Sequence, residues 1–461
     1  MNKSQLESFI LDKMSLTGLP GLSIAIVEGD KVVYARGFGQ RNIDSGLPAT
    51  PGTVYSCGSV TKSFTALAIL QLAEQNKLSL DDDISKYLDF HVKPKGKDIL
   101  IKHLLSHSSG IPSLAYAEAL IGYANGMGGK ALPISGPKDI LAFAADTADW
   151  VEASPGERWF YFNEGYAMLG QIIEDVSGQS YNDYIAKNIL KPLGMQRSVF
   201  EKKDVEAMDD VAVPYNVRPG LLPVEGRYLY RSIRSEGGLI TSVLDLAKYI
   251  SMFLSGGKGI VSKPSLNEMF LARVNMPWIN NRQLFAIDTE PKPAAQYAYG
   301  LIRENFFGET LISHGGSVGV ATAQIAFLPK AKLGVAILTN GSGYATSQFA
   351  KVALASYLKK DISKLSFLRL EDSLMPLTGR YESYKGTMQA SVVREADFLK
   401  LVFHYGEQKE KYILVPESLE KDEKMFFTLQ YGQKMPVSFK GRDGKIELIF
   451  ERYKLKRIGP N

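Results

Sequence analysis

The serine and lysine of Ser59-Val60-Thr61-Lys62 have the residue types and the spacing needed for chemistry at a serine hydroxyl. Residues three apart share one face of a helix, so the Lys62 amine is expected to lie over the Ser59 hydroxyl. The start of a helix also leaves backbone N–H groups unpaired, and these favour developing negative charge. A lysine buried there loses hydration, which lowers its pKa and lets it act as a base. The pair therefore predicts an activated serine nucleophile.

The same spacing of serine and lysine occurs at Ser135/Lys138, Ser255/Lys258, Ser356/Lys359 and Ser418/Lys421. None of these serines opens an apolar helix. Glycine follows Ser135 and Ser255 directly, which disfavours a helix start, whereas Ser356 falls near the end of a predicted helix and Ser418 in a charged loop. Ser59 instead precedes a run that is apolar nearly all round, which predicts a helix in the middle of a domain. The alternative interpretation is that Ser59 is a helix N-cap and Lys62 a solvated residue of the first turn.

The composition of the 461-residue chain is that of a globular protein with a large core, since 45% of residues are apolar and 22% are charged. The net charge of +5 is small and no basic stretch is interleaved with aromatic residues, which argues against a nucleic-acid partner. The single cysteine, Cys57, excludes an internal disulfide, makes a zinc–thiolate site improbable and is expected to be a small buried side chain. No cofactor and no metal are predicted.

The ends and the hydropathy of the chain give an expectation about its location. The first residues lack an apolar core of signal-peptide length, and no run approaches the length of a membrane span. We expect a cytoplasmic protein without membrane contact, unless a leader has been removed.

Residues 1–358 are predicted to form one α+β domain. Strand-like residues 22–27 and 31–36 form a hairpin around Glu28-Gly29-Asp30, and strand texture returns after residue 310. The economical layout is an antiparallel sheet built from the early hairpin and the late strands and covered by the terminal helices. The inner helices would then form a second, all-α lobe.

Two stretches of the inner region need separate interpretation. Residues 113–135 are rich in glycine, which favours a mobile loop or lid over a cleft. His103 and His107 are four apart, as in a metal pair on a helix face, but no HExxH arrangement or acidic third ligand accompanies them. We therefore expect structural histidines.

The rest of the chain is predicted to form a linker, residues 359–376, and a separate small β-domain, residues 377–461. Alternating apolar runs recur at short intervals beyond residue 398 with no helix pattern between them. A closed barrel or a sandwich is the simplest all-β arrangement for them. Strand edges and apolar faces of such a domain commonly serve association, so we expect a homo-oligomer held partly through residues beyond about 375.

Two further motifs make a family resemblance visible. Tyr161-Phe162-Asn163 precedes a second apolar helix, and His314-Gly315-Gly316 stands beside a late strand. Together with Ser59-Val60-Thr61-Lys62 they resemble the three active-site motifs of serine β-lactamases and penicillin-binding proteins, in the class C-like branch. The resemblance implies a β-lactamase/transpeptidase-like domain. The β-domain is similar to the lipocalin-like barrels of D-aminopeptidases and of a self-compartmentalising archaeal serine peptidase of this family.

The resemblance also implies roles for individual residues. Ser59 would attack a carbonyl to give an acyl-enzyme that water hydrolyses. Lys62 would take or relay the serine proton. Tyr161 would hydrogen-bond Ser59 and shuttle a proton to the leaving group, with Lys62 nearby to favour its phenolate. Asn163 would orient Lys62 and the substrate amide. The backbone N–H groups of Ser59 and Ser317 would form the oxyanion hole.

The chain departs from the family pattern at two positions. Phe162 replaces a small residue and is expected to narrow the site. His314 replaces the lysine of Lys-Thr-Gly, so a substrate carboxylate loses its permanent cation there. Beside Lys62, His314 should be mostly neutral and should hydrogen-bond the catalytic hydroxyls or the substrate, and activity should rise with pH as both residues lose protons. Gly315 and Gly316 would let a substrate backbone lie close alongside.

These observations leave three functional hypotheses. The first is a serine peptidase of the penicillin-binding-protein type that acts on peptide amide bonds, including those of D-amino acids. The second is a carboxylesterase, because ester cleavage needs the same machinery. The third is a non-catalytic sensor that binds a ligand in the barrel, against which stands the joint presence of Ser59, Lys62, Tyr161 and Asn163. Side-chain preference, stereochemistry, endo- or exo-cleavage and oligomer size stay open.

Overall fold

A computed structural model describes residues 3–230, 232–277, 295–405, 407–419, 423–442 and 445–460. Of the described residues, those up to Lys360 form a first compact unit and those from Asp361 form a second. Each unit has its own hydrophobic core. Within the described ranges, no helix has the length and the hydropathy needed to cross a membrane.

The first unit is built on one antiparallel sheet. Its strands and those of two short ribbons are Gly21–Glu28 (β1), Lys31–Asn42 (β2), Leu47–Pro48 (β3), Val54–Ser56 (β4), Tyr215–Asn216 (β5), Val224–Glu225 (β6), Ile240–Ser242 (β7), Val274–Asn275 (β8), Ala295–Tyr297 (β9), Ile302–Phe306 (β10), Glu309–Ser317 (β11), Thr322–Leu328 (β12) and Leu333–Thr339 (β13). The sheet has the order β3-β2-β1-β13-β12-β11-β10-β9-β8, while β4 pairs with β7 and β5 with β6. Because β1 pairs with both β2 and β13, the expected union of early hairpin and late strands is confirmed.

Helices cover the sheet and form a lobe beside it. They are Lys3–Thr17 (α1), Thr61–Glu74 (α2), Ile101–Leu105 (α3), Tyr116–Ala124 (α4), Pro137–Ala144 (α5), Asn163–Ser177 (α6), Tyr181–Ile185 (α7), Lys202–Glu206 (α8), Val243–Leu254 (α9), Lys263–Phe270 (α10) and Thr346–Tyr357 (α11), with a π turn at Ala186–Leu190. The terminal helices α1 and α11 pack together, and α11 lies on β12 and β13. Helix α9 packs on β1 and β13, whereas α2, α6 and α7 pack on one another. This is the expected combination of a covered sheet and a helical lobe.

Helix α2 lies in the middle of the first unit, as its apolar sequence predicts. Residues Thr61 to Leu72 are buried without exception, and Cys57 just before them is a buried free cysteine. The α-helix proper begins at Thr61, because Gly58–Val60 forms a turn of 3₁₀-helix. Such a turn is common at helix starts. Ser59 therefore lies in a tighter turn than expected, two residues before the helix that carries Lys62.

The stretch 113–135 is more ordered than its glycine content predicts. It contains α4, whose first residue, Tyr116, is fully buried in a small core with Ile140 and Ile233. The reason is that apolar side chains recur at helical spacing before the glycines begin, so one helix face can be buried. The expectation of a loop without a core element is wrong for this part.

The second unit is a closed barrel, which decides between the two expected all-β arrangements. Its strands are Gly379–Glu382 (β14), Gln389–Glu395 (β15), Phe398–Tyr405 (β16), Gln408–Leu419 (β17), Glu423–Gln430 (β18), Gln433–Arg442 (β19), Lys445–Phe450 (β20) and Tyr453–Gly459 (β21). The barrel closes because β14 pairs with β21 as well as with β15. Its interior is filled by buried side chains of its own strands.

The predicted linker 359–376 is only in part a linker. It contains helix Ser366–Leu374 (α12), followed by the 3₁₀ turn Met375–Leu377. Leu374 and Leu377 are buried in the barrel core, and the partly buried Leu370 packs against it. These apolar residues recur every three to four positions among charged ones, the spacing of an amphipathic helix. The correction is that most of this segment belongs to the second unit.

Candidate active site

Glycines let two separate parts of the chain meet around Ser59. Gly58 has a φ of +49°, and a Cβ added there would lie 2.7 Å from the backbone nitrogen of Ser317. A Cβ on Gly316 would lie 1.9 Å from the carbonyl oxygen of Cys57. Only glycine fits at such distances. Gly316 was expected to make room for a substrate backbone. In the structure its lack of a side chain makes room for the protein's own turn at Cys57 and Gly58.

Lys62 is fully buried and makes the contact with Ser59 that the spacing predicts. Its Nζ donates to Ser59 Oγ at 3.1 Å, to Asn163 Oδ1 at 2.8 Å and to the carbonyl oxygen of Glu236 at 2.5 Å. The three acceptors match the three N–H donors of an ammonium group. The amine is therefore held in one orientation, with one position aimed at the serine hydroxyl.

Burial makes the Lys62 amine a base near neutral pH. It lowers the pKa of Lys62 from 10.5 to about 7, because the charged form loses its hydration. The negative charges of Glu236, Glu118 and Glu164 act in the opposite direction and favour the ammonium form. Burial is the larger effect. The interpretation of Lys62 as a solvated first-turn residue is excluded by this environment.

Tyr161 lies against both members of the pair. Its phenol lies close enough to the Ser59 hydroxyl for that group to act on its pKa, and Lys62 Nζ lies 4.9 Å from the centroid of its ring. Burial raises the pKa of Tyr161 well above its ordinary value, so the side chain is a neutral phenol at working pH. The expectation that Lys62 favours a phenolate is wrong, because desolvation outweighs the nearby amine. Tyr161 can carry a proton, but Lys62 is the better base.

Asn163 is oriented by contacts at both ends of its amide. Its Oδ1 accepts from Lys62, and its Nδ2 donates to Glu118 Oε1 at 3.2 Å. The neighbouring Phe162 does not narrow the cleft as expected. Its ring is buried in the main core beside Gly165, because the chain turns into helix α6 at this point.

His314 is buried, and its two ring nitrogens have protein partners. Nδ1 lies 2.6 Å from the carbonyl oxygen of Gly315, which can only accept, so Nδ1 carries the proton. Nε2 lies 2.8 Å from the hydroxyl of Tyr297 and accepts from it. The expected hydrogen bond to a catalytic hydroxyl is replaced by this one. Its ring centroid is 6.4 Å from that of Tyr161.

The pKa of His314 explains its neutral state. Burial lowers it from 6.5 to about 3, with a further contribution from the positive charge of Lys62. His314 therefore stays neutral throughout the range in which Lys62 titrates. Of the two groups expected to lose protons near neutrality, only Lys62 has a pKa in that range.

The candidate residues share one cleft of about 1330 Å³. Its lining includes every predicted site residue except the buried Lys62, namely Ser59, Tyr161, Asn163, His314, Gly315, Gly316 and Ser317. Glu118 and Glu236 also line it and were not among the predicted residues. For Glu236, the Glu236-Gly237-Gly238 turn in the sequence could have indicated a place in the site. Glu118 had no such signal, because it lies in the stretch expected to be a loop.

The two histidines with metal-pair spacing are structural, as expected. Nδ1 of His103 accepts the N–H of Leu100 at 3.1 Å, and Nδ1 of His107 accepts the N–H of Phe162 at 2.9 Å. Because Nδ1 accepts in both rings, Nε2 carries the proton of the neutral imidazole, so neither nitrogen has a free electron pair for a metal.

Comparisons with known proteins agree with this architecture. The β-lactamase family profile matches residues 6–358, and the profile of the Pab87 octamerisation domain matches residues 362–456. The octameric penicillin-binding protein homologue from Pyrococcus abyssi is 45% identical, with a TM-score of 0.92 over 99% of this chain and 100% of that one. The octamerisation domain and the octameric homologue together support a homo-oligomer.

Two further proteins each match about three quarters of the chain. Protein flp of Staphylococcus aureus strain MRSA252 is 30% identical over 343 residues, which are 74% of this chain and 63% of that protein's length. A D-stereospecific amidohydrolase from a Streptomyces species shares the fold at 24% identity, with a TM-score of 0.60 over 76% of this chain and 98% of that one. From the match over most of its length, the chain belongs to the β-lactamase family, whose members are serine hydrolases.

Proposed function

We propose that this chain forms an acyl-enzyme on Ser59 and hydrolyses peptide amide bonds. The observation that carries the proposal is the 3.1 Å contact between Lys62 Nζ and Ser59 Oγ, together with a Lys62 pKa of about 7. Near neutral pH about half of the amines are then deprotonated. A neutral amine has a free electron pair and can take the serine proton directly.

The proposed acylation involves three proton transfers. Neutral Lys62 accepts the Ser59 proton while Oγ attacks the carbonyl carbon, which leaves an ammonium group and a tetrahedral oxyanion. The N–H groups of Ser59 and Ser317 hold that oxyanion. Tyr161 gives its phenol proton to the leaving amine and regains one from the Lys62 ammonium. Water then attacks the acyl-enzyme with the same groups acting in reverse, which frees the acid and Ser59.

The state of Tyr161 favours amides over esters. An amine is a poor leaving group until it is protonated, whereas an alkoxide leaves more readily, so amide cleavage depends more on a proton donor. Tyr161 is a neutral phenol that lines the same cleft as Ser59, where such a donor is needed. Ester hydrolysis is the second candidate, since Lys62 activates Ser59 in the same way for both.

We predict that matched peptides decide between these two activities. Peptides that differ only in ending as an amide, a free acid or an alkyl ester, each with L- and D-residues, are incubated with the protein and with Ser59→Ala as the blank. We expect cleavage of internal amide bonds, at least as fast in the amide-ended peptide as in the free acid, because His314 is neutral and offers no cation to a carboxylate. Turnover of esters alone would establish the esterase.

The sensor hypothesis loses its binding site in the barrel. Aromatic side chains fill the barrel interior, among them Tyr381, Phe403, Phe426, Phe439 and Phe450. In a core packed in this way, the protein's own side chains occupy the space that a ligand would need.

We propose that the barrel instead assembles copies of this chain. Large apolar side chains lie exposed on this unit, among them Tyr405, Ile413, Leu429, Tyr431 and Ile458. Exposed apolar groups of this size commonly mark contact surfaces between proteins. The match to an octamerisation domain over residues 362–456 supports the same role.

A variant truncated after Lys360 should assemble from fewer copies than the full-length protein, because it lacks the proposed contact surface. The first unit has its own core, so the truncated variant should still react at Ser59. Light scattering measures the mass, with full-length Ser59→Ala as a control that keeps its assembly. A full-length monomer would contradict the proposal.

A further inference from the structure

His107 holds the segment that carries Tyr161 at two points. Its carbonyl oxygen accepts the N–H of Phe160 at 2.8 Å, and its Nδ1 accepts the N–H of Phe162 at 2.9 Å. These two N–H groups flank Tyr161 in the chain. The residue thus binds the backbone on both sides of the proposed proton carrier.

The ring of His107 also forms the surface on which Tyr161 rests. The two ring centroids are 4.2 Å apart, and on other sides His107 contacts the rings of Tyr166 at 4.9 Å and Tyr297 at 4.7 Å. Tyr161 and Tyr166 in turn lie within 6 Å of Lys62 Nζ, at 4.9 and 5.6 Å from their centroids. The histidine is therefore the centre of the aromatic group behind the Ser59–Lys62 pair.

This arrangement carries costs that core packing alone does not require. His107 has a φ of +55°, which is unfavourable for a residue with a side chain. Since Nδ1 accepts, Nε2 carries the proton, and this buried donor has no hydrogen-bond partner among the described residues. A leucine or phenylalanine would remove the unpaired Nε2 donor but would leave the N–H of Phe162 without its acceptor. Strain and unpaired groups that persist often mark functional positions.

We propose that His107 is a positioning residue that sets the place of the Tyr161 hydroxyl relative to Ser59. The inference rests on the proposed function, because Tyr161 must take part in proton transfer for its placement to matter. His107 does not touch the reacting atoms. It acts through the Nδ1 acceptor, which fixes the backbone at Phe162, and through ring contact with Tyr161.

Substitutions can separate this role from general stability. His107→Gln keeps bulk near Nε2 but has no acceptor where Nδ1 lies, whereas His107→Asn places Oδ1 at that position and tolerates a positive φ. Both are combined with Tyr161→Phe in a double-mutant cycle. His103→Asn is the matched control, because His103 also accepts a backbone N–H but at Leu100.

We expect His107→Gln to lower kcat about thirtyfold or more while KM changes by less than about threefold, since a displaced phenol slows proton transfer more than binding. His107→Asn should recover at least about tenfold of that loss. In the Tyr161→Phe background His107→Gln should cost less than about threefold, because its target has already lost its hydroxyl. His103→Asn should stay within about twofold of wild type.

Equal losses from His107→Gln in both backgrounds would overturn the inference, as would a His107→Asn variant no better than His107→Gln at matched melting temperature. If His107→Gln is unfolded at the assay temperature, His107→Gly takes its place, because glycine adopts this φ without strain. The proposed function fails separately, through activity that survives Ser59→Ala. Every His107 variant retains Ser59, so the two failures are distinguishable.

Discussion

Replacing Ser59 with alanine is expected to abolish labelling by a fluorophosphonate probe and to lower hydrolysis by about 10⁴-fold or more. The change removes Oγ, which accepts a hydrogen bond from Lys62 Nζ and lies beside the Tyr161 phenol. Ser59 lies at the partly exposed start of a buried helix, so loss of a hydroxyl should leave the fold intact. Labelling is followed by intact-protein mass spectrometry and the fold by circular dichroism.

Two other serines serve as matched controls for this result. Ser63 lies one turn further on but is buried, with its hydroxyl donating to the carbonyl oxygen of Val60. Ser135 has the same serine–lysine spacing, but its hydroxyl donates to Asp139. Ser63→Ala and Ser135→Ala should keep full labelling. Undiminished labelling of Ser59→Ala would end the acyl-enzyme mechanism.

Replacing Lys62 with methionine, which fills a similar volume without an amine, is expected to slow acylation about a hundredfold or more. In the wild type kcat/KM should rise about tenfold per pH unit below pH 7 and level off above it. The sign follows from the mechanism, because only the neutral amine accepts the Ser59 proton and the pKa of Lys62 is about 7. Steady-state kinetics between pH 4 and 9 measure both effects.

His314→Gln provides the control for the pH dependence. Because the pKa of His314 is about 3, its removal should leave the midpoint near pH 7 in place. A midpoint that disappears in His314→Gln and survives in Lys62→Met would assign the titration to the histidine instead.

The buried Lys62 should also make the stability of the fold depend on pH, an effect that can be measured without substrate. The unfolded chain keeps the Lys62 proton up to a pKa of 10.5, whereas the folded chain releases it near 7. Between these values the unfolded state binds more protons, so the wild type gains stability as pH rises. The melting temperature of Lys62→Met relative to wild type should therefore be higher at pH 7 than at pH 10. A difference that does not change with pH would contradict the burial effect.

Much of the fold could be predicted because its signals are local. Alternation of apolar residues identified the hairpin of β1 and β2 and five of the barrel strands, and an apolar run identified α2. The prediction of helices failed where a helical pattern of apolar residues is mixed with residues typical of loops. Helix α4 shares its stretch with a run of glycines, and α12 has so many charged residues that it resembled a linker.

The sequence by itself determined the pairing of Ser59 with Lys62, because residues three apart near a helix start meet whatever surrounds them. Only the tertiary structure decided which groups hold the amine, since Asn163 and Glu236 are 101 and 174 residues from Lys62 along the chain. It also decided the protonation of Lys62, Tyr161 and His314. The physical reason is that spacing along one element sets distances within a turn, whereas a pKa depends on how completely distant parts of the chain remove water from the group.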